Sequence, residues 1–203
     1  ADGNQLHSLP ASFGELRSLE ALHMDRNLLS ALPRNFGELS GLQRLQLESN
    51  SLSILPESFS NLPALLFLNL ARNCLTSLPS SFAQLPSLRM AYFGRNKIAA
   101  LPWDLGLITT LQVLYAEHNA LSYLPASMGQ LSHLLHLNVA GNYLTDLPPS
   151  FNSLSRLHTL DLSMNNFEVL PDVAVTLQGS RLASLRWDCQ HGTGQEKTQS
   201  REA

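Results

Sequence analysis

The sequence predicts an α/β fold of the solenoid kind, a right-handed coil in which each turn adds one strand to a curved parallel sheet on the concave face and one short α or 3₁₀ segment to the convex face. Three observations predict it. Asparagine recurs at Asn4, Asn27, Asn50, Asn73, Asn96, Asn119, Asn142 and Asn165, an unbroken interval of 23 residues. Leucine keeps step with it: the copy from Leu42 reads Leu42-x-x-Leu45-x-Leu47-x-x-Asn50-x-Leu52-x-x-Leu55-Pro56-x-x-Phe59-x-x-Leu62, and Leu65 opens the next. A helix-starting residue then follows the Leu-Pro pair in successive units, at Ser12, Asn35, Ser58, Ser81, Asp104, Ser127 and Ser150. A unit of this size cannot bury its apolar side alone and does so by stacking on its neighbours.

Within the repeat, Leu22-His23-Met24 and Leu45-Gln46-Leu47 alternate apolar with polar residues, the period of a strand with one buried face. Parallel strands need a crossover of a dozen or more residues, which the rest of the repeat supplies, and such crossovers are right-handed. The Asn after each strand turns the backbone away. Its amide is suited to pairing with main-chain groups of adjacent turns that would otherwise be buried without partners, so the eight are expected to form a ladder. On the return path Ser12 with Glu15, Asn35 with Glu38, Ser81 with Gln84 and Ser127 with Gln130 have capping-box spacing. A single helical turn is therefore expected near Phe13, Phe36, Phe59, Phe82 and Phe151, whose rings form a second buried spine. Leu105 and Met128 interrupt that spine, and Phe93 beside Ala116 reads as compensating redistribution of core volume. After Leu177 the period slips: Leu182, Leu185 and Trp187 fit only with a two-residue insertion. One repeat domain is expected over residues 1–190, about eight repeats and a degenerate last one, followed by a polar, disordered tail at 191–203.

Composition narrows the function. Charged residues are 14% and the net charge is −3, so no chain-wide field draws in nucleic acid or an anionic membrane. No apolar run approaches a membrane span. The two cysteines, Cys74 and Cys189, lie far apart and form no cluster, which favours a reducing compartment.

The unit matches the leucine-rich repeat pattern L-x-x-L-x-L-x-x-N/C-x-L. Its Leu-Pro-x-x-Phe-x-x-Leu-x-x-Leu form resembles the intracellular Ras-group leucine-rich repeats of Ras-pathway and polarity scaffolds, over about residues 4 to 190. Departures at Ala91, Leu105, Ala116, Met128 and Ala174 concern the core only. The resemblance implies a right-handed leucine-rich repeat solenoid in the cytoplasm, a scaffold without chemistry of its own. It implies a protein partner on the concave face, a small GTPase or another signalling protein.

Motifs for catalysis are weak. His133 and His136 have a His-x-x-His spacing with no carboxylate or cysteine fixed nearby, and Cys189 with His191 is a lone Cys-x-His pair. Gly-rich phosphate loops, Gly-x-Ser-x-Gly elbows and His-Glu-x-x-His are absent from the sequence. The chain reads as a non-enzyme with no cofactor. The informative residues are the variable ones on the strands. One exposed column runs Ala21, Arg44, Phe67, Met90, Val113, His136, Thr159, Ser184, and the next runs His23, Gln46, Asn69, Tyr92, Tyr115, Asn138, Asp161, Arg186. Arg44, Phe67, Met90, Tyr92, Val113 and Tyr115, with Arg72, Arg95 and His118 at the strand ends, form the expected partner-binding set. Aromatic and Arg residues in a central patch have the composition of a binding hot spot. Two other readings are the recognition arm of a larger kinase, NTPase or ubiquitin ligase, and a segment of a cell-surface receptor.

Overall fold

A computed structural model describes residues 1–178 and 181–188, and the backbone of 199–200. Eight three-residue strands line up in chain order: β1 (Ala21–His23), β2 (Arg44–Gln46), β3 (Phe67–Asn69), β4 (Met90–Tyr92), β5 (Val113–Tyr115), β6 (His136–Asn138), β7 (Thr159–Asp161) and β8 (Ser184–Arg186). All seven successive pairings are parallel, and each residue faces its sequence equivalent in the next repeat, Leu22 against Leu45 and Leu45 against Leu68. The slip after Leu177 sits where expected. There the return path is an α-helix, α1 (Asp172–Gln178), and Thr159 still pairs with Ser184. Of the tail, 191–198 and 201–203 lie outside the described residues, as do Cys189 and His191; Gln199–Ser200 forms β9, antiparallel to the edge offered by β8.

The core is one continuous column from Leu22 to Leu185. Phe36, Phe59 and Phe82 stack nearly parallel at 6.1 and 6.4 Å between ring centres. Where Leu105 ends the stack, Phe93 closes it edge-on against Phe82 at 5.6 Å, and Ala116 leaves the room. The asparagine ladder forms as the spacing predicts. Asn73 donates to the carbonyls of Leu47 in the preceding repeat and Leu70 in its own, and its side-chain oxygen accepts the Leu52 N–H. Each rung thus ties three chain segments together by groups that are otherwise buried without partners.

The convex side corrects one expectation. The return segments before α1 are 3₁₀ turns, such as Phe36–Glu38, Phe82–Gln84 and Ala126–Gln130, and none has a side-chain hydrogen bond at its N-cap. The polar residues instead bond backwards by one repeat: Asn35 Nδ2 donates to Ala11 O, Ser58 Oγ to Arg34 O, Ser127 Oγ to Trp103 O and Ser150 Oγ to Ala126 O. The N–H groups that a cap would meet find partners in the next repeat instead: Ser58 Oγ accepts the Gly37 N–H and Ser127 Oγ the Gly106 N–H, while each hydroxyl donates to a carbonyl one repeat back. Glycine permits that proximity. A Cβ on Gly37 or Gly106 would lie within 2 Å of the carbonyl oxygen of Ser58 or Ser127. Asp104 interrupts this second ladder, because an ionised carboxylate has no proton to donate, and its Oδ1 is buried without a hydrogen bond. Asp104→Ser restores a donor and is expected to stabilise the fold by roughly 1 kcal/mol. A rise in the urea midpoint checks this; an unchanged or lower midpoint contradicts it.

Candidate functional site

The register turns sequence columns into rows across the sheet. Arg44, Phe67, Met90 and Val113 face one another in order on β2 to β5, and Tyr92 faces Tyr115 one step along. Side chains of one column lie about 4.8 Å apart, the spacing of neighbouring strands, so they touch. The Arg44 guanidinium sits 4.2 Å from the centre of the Phe67 ring, a cation–π contact. Phe67 meets Tyr92 at 5.4 Å, tilted by 39°, and Tyr92 meets Tyr115 edge-on at 5.3 Å. Four strands therefore carry one unbroken chain of contacts, with Met90 and Val113 half-buried beside it.

This corrects a second expectation, that the two strand columns are exposed throughout. Phe67, Tyr92 and Tyr115 are half-buried against each other, and such aromatic pairs contribute about 0.5–1.5 kcal/mol beyond area burial. Part of the row's composition is thus cross-strand packing. Burial, with the Tyr115 hydroxyl next, raises the pKa of Tyr92 above the ordinary phenol value, against the lowering by Arg44. The phenol stays a neutral donor at physiological pH.

Arg72, Arg95 and His118 lie on a third line, along the ends of the strands. They belong to a column that also holds Gly3, Arg26, Ser49, Gly141 and Met164, all left-handed with φ between 52° and 67°. Each turns the chain into the Asn rung while its N–H still pairs with the next repeat, Arg72 to Gly94 O and Arg95 to Glu117 O. The two glycines at one repeat position were the faint sequence sign of this conformation. At Met164, well outside the row, glycine is expected to match or raise stability by roughly 1 kcal/mol, the cost an L-residue bears there. Thermal unfolding of Met164→Gly beside Met164→Val, which should be lower, measures it.

The three line residues differ in environment. Arg72 Nε lies 3.4 Å from Glu48 Oε1, and Asn69 Nδ2 donates to the other oxygen of the same carboxylate. Arg95 is exposed and has no ion pair among the described residues. The His118 ring lies over Gly141, where a Cβ would stand 2.4 Å from Nδ1. Beside Arg95, the Glu117 carboxylate fills the space left by the missing Cβ of Gly94, and its Oε2 is buried without a hydrogen-bond partner. The rim of the aromatic row therefore offers an exposed cation at Arg95, with the Glu117 Oε2 acceptor enclosed behind it. His133 and His136 do not converge: His133 Nδ1 lies 3.0 Å from Thr109 O, and His136 Nδ1 lies 2.9 Å from the Thr159 hydroxyl.

Two family patterns, each described as leucine-rich repeat, match the chain, one at residues 19–73 and 52–98 and the other at 133–154. No curated protein matches it. Among solved structures, it is similar to a Leptospira interrogans leucine-rich repeat protein at 30% identity and a TM-score of 0.67, covering 80% of this chain and 47% of that one. It is similar to a TDR receptor at 29% identity and 0.80, covering 90% of this chain and 33% of that one. It is also similar to the Arabidopsis receptor kinase HAESA, solved with the peptide hormone IDA and a co-receptor, at 31% identity and 0.77, covering 93% of this chain and 32% of that one. The chain thus spans from about a third to just under half of the length of these solved chains. Repeat, register, ladder and matched patterns agree, and the chain belongs to the leucine-rich repeat proteins.

Proposed function

We propose that the chain is a non-catalytic protein-binding scaffold whose partner sits on the concave sheet face over Arg44, Phe67, Met90, Tyr92, Val113 and Tyr115, with Arg72, Arg95 and His118 along one margin. The observation that carries this is the contact row from Arg44 to Tyr115, central in the array and in direct contact across four strands. Preorganised aromatic anchors lose little side-chain freedom on binding, which is where affinity is gained. The repeat form resembling Ras-group scaffolds makes a small GTPase or another signalling protein the partner class we favour. We place the protein in the cytoplasm, where the exposed, free thiol of Cys74 is kept reduced. The test is affinity capture with the intact chain beside a Tyr92→Ala/Tyr115→Ala variant, read by mass spectrometry. A partner retained by both equally defeats this reading.

A second reading has one observation behind it. Several of the similar structures are receptors, solved with peptide ligands in the HAESA case, and this chain spans about a third of their length. In that reading the same row seats an extended peptide outside the cell. Protease protection of the tagged protein in intact cells separates the two: cleavage by external protease excludes the cytoplasmic scaffold.

A further inference from the structure

Near the other end of the sheet, where the chain enters β6 to β8, Leu135, His136, Arg156, His158 and Arg181 line a recess of about 450 Å³. We propose that it binds a phosphate monoester group carried on a side chain of the protein that occupies the concave face. The location of the carrier rests on that reading of the face; recognition of the phosphate does not.

Repeat geometry assembles the site from distant sequence. Arg156 stands three residues before Thr159 and Arg181 three before Ser184, and because Thr159 pairs with Ser184 the two arginines occupy equivalent places in neighbouring turns. His158 enters β7 with its N–H bonded to Leu135 O, while its own carbonyl accepts the N–H groups of Ala183 and Ser184. The side chains thus project from fixed backbone. The His136 and His158 rings meet edge-on at 6.1 Å. When the Thr159 hydroxyl donates to His136 Nδ1 across 2.9 Å, Nε2 carries the proton and becomes a donor toward a ligand.

Charge then selects the ligand. The chain carries a net charge of −3, yet among the described residues that line the recess there is no carboxylate. The ion pairs among the described residues use Arg17, Arg72 and Arg186, and leave Arg156 and Arg181 without a counter-charge. Two guanidinium forks and two imidazoles on three successive turns offer more donors than a flat carboxylate uses, since one fork satisfies it, and suit a tetrahedral group with three terminal oxygens. A phosphate monoester brings three terminal oxygens and nearly two negative charges at neutral pH. The volume leaves room for the ring or stem bearing it. Continuity points to a protein carrier: His136 pairs in register with Val113, so whatever covers Val113 and Tyr115 passes beside the recess.

The test is an NMR titration of the full chain, following backbone amides at 135–136, 156–159 and 181–184. Inorganic phosphate, N-acetyl-phosphotyrosine amide, acetate and sodium chloride are compared at equal ionic strength. The expected result is a saturable shift confined to those amides, tighter for the phosphotyrosine amide than for inorganic phosphate, and weakened about tenfold or more by Arg156→Gln or by Arg181→Gln, as loss of a charge-assisted pair requires. Tyr92→Ala should leave the shift unchanged, which separates failure of the aromatic row from failure of the recess. Equal shifts from chloride or acetate, or shifts that survive in the Arg156→Gln/Arg181→Gln double variant, overturn phosphate recognition. Equal affinity for inorganic phosphate and the phosphotyrosine amide overturns the carrier.

Discussion

Asn119→Ala is expected to lower the free energy of unfolding by about 3 kcal/mol, the cost of leaving buried polar groups without partners. Asn119 is 8% exposed, and its amide donates to Phe93 O at 3.0 Å, Ala116 O at 3.2 Å and Glu117 O at 3.3 Å, while Oδ1 accepts the Ile98 N–H at 2.9 Å. Truncation deletes every one of these bonds at once, and no water can enter a stack in which Phe93, Ala116 and Ile98 are buried. Because solenoid stability is close to a sum of repeat and interface terms, loss at a central rung weakens two interfaces and should split unfolding into two parts. Asn4 supplies the control. It is exposed and donates only to Ala1 O and Asp2 O, close in sequence, so Asn4→Ala should cost well under about 1 kcal/mol. Urea unfolding read by circular dichroism, with hydrogen exchange on either side of residue 119, measures both; equal midpoints for Asn119→Ala and the wild type would remove the ladder from the energetics.

The ladder was legible because a strict period converts sequence offset into spatial offset: one repeat along the chain is one strand across the sheet. The same rule made both exposed columns readable, down to Phe67 beside Met90 and Tyr92 beside Tyr115. The convex serines were not legible in that way. A residue type that caps a helix turn and one that bonds the preceding repeat is the same residue type, and only the stacking of neighbouring repeats decides between them. Nor does a column say how its side chains lean: Phe67 reaches diagonally to Tyr92 and past its direct neighbour Met90, a choice made by ring packing. The left-handed line holding Arg72, Arg95 and His118 left only glycine at positions 3 and 141 as a sign. The basic recess was hidden for a different reason. Arg156 and Arg181 are brought level by the insertion after Leu177, and His136 drew notice for its spacing to His133, a residue with which it shares no site.

Tyr92→Ala and Tyr115→Ala are each expected to weaken partner binding by roughly 1–3 kcal/mol, about tenfold or more, with the double variant losing it nearly completely. The rings touch at 5.3 Å and Phe67 backs them at 5.4 Å, so removing one also loosens the other, and the two losses should not add. The same contacts mean that each change costs some fold stability, about 0.5–1.5 kcal/mol for an aromatic pair. Binding is therefore measured well below the unfolding midpoint of each variant, and Tyr92→Phe keeps the packing as a control for the hydroxyl. Arg95, exposed and without an ion pair among the described residues, tests the margin. Arg95→Glu should slow association and flatten its salt dependence, because a rim charge acts mainly through long-range attraction. Arg72→Glu should act similarly but less, since Glu48 already offsets that charge at 3.4 Å. Arg34→Ala, on the convex face, should bind like the wild type. A captured partner whose affinity is the same for the wild type and the Tyr92→Ala/Tyr115→Ala variant would shift the binding surface to the convex side, where Trp103 and Leu107 are 82% and 61% exposed.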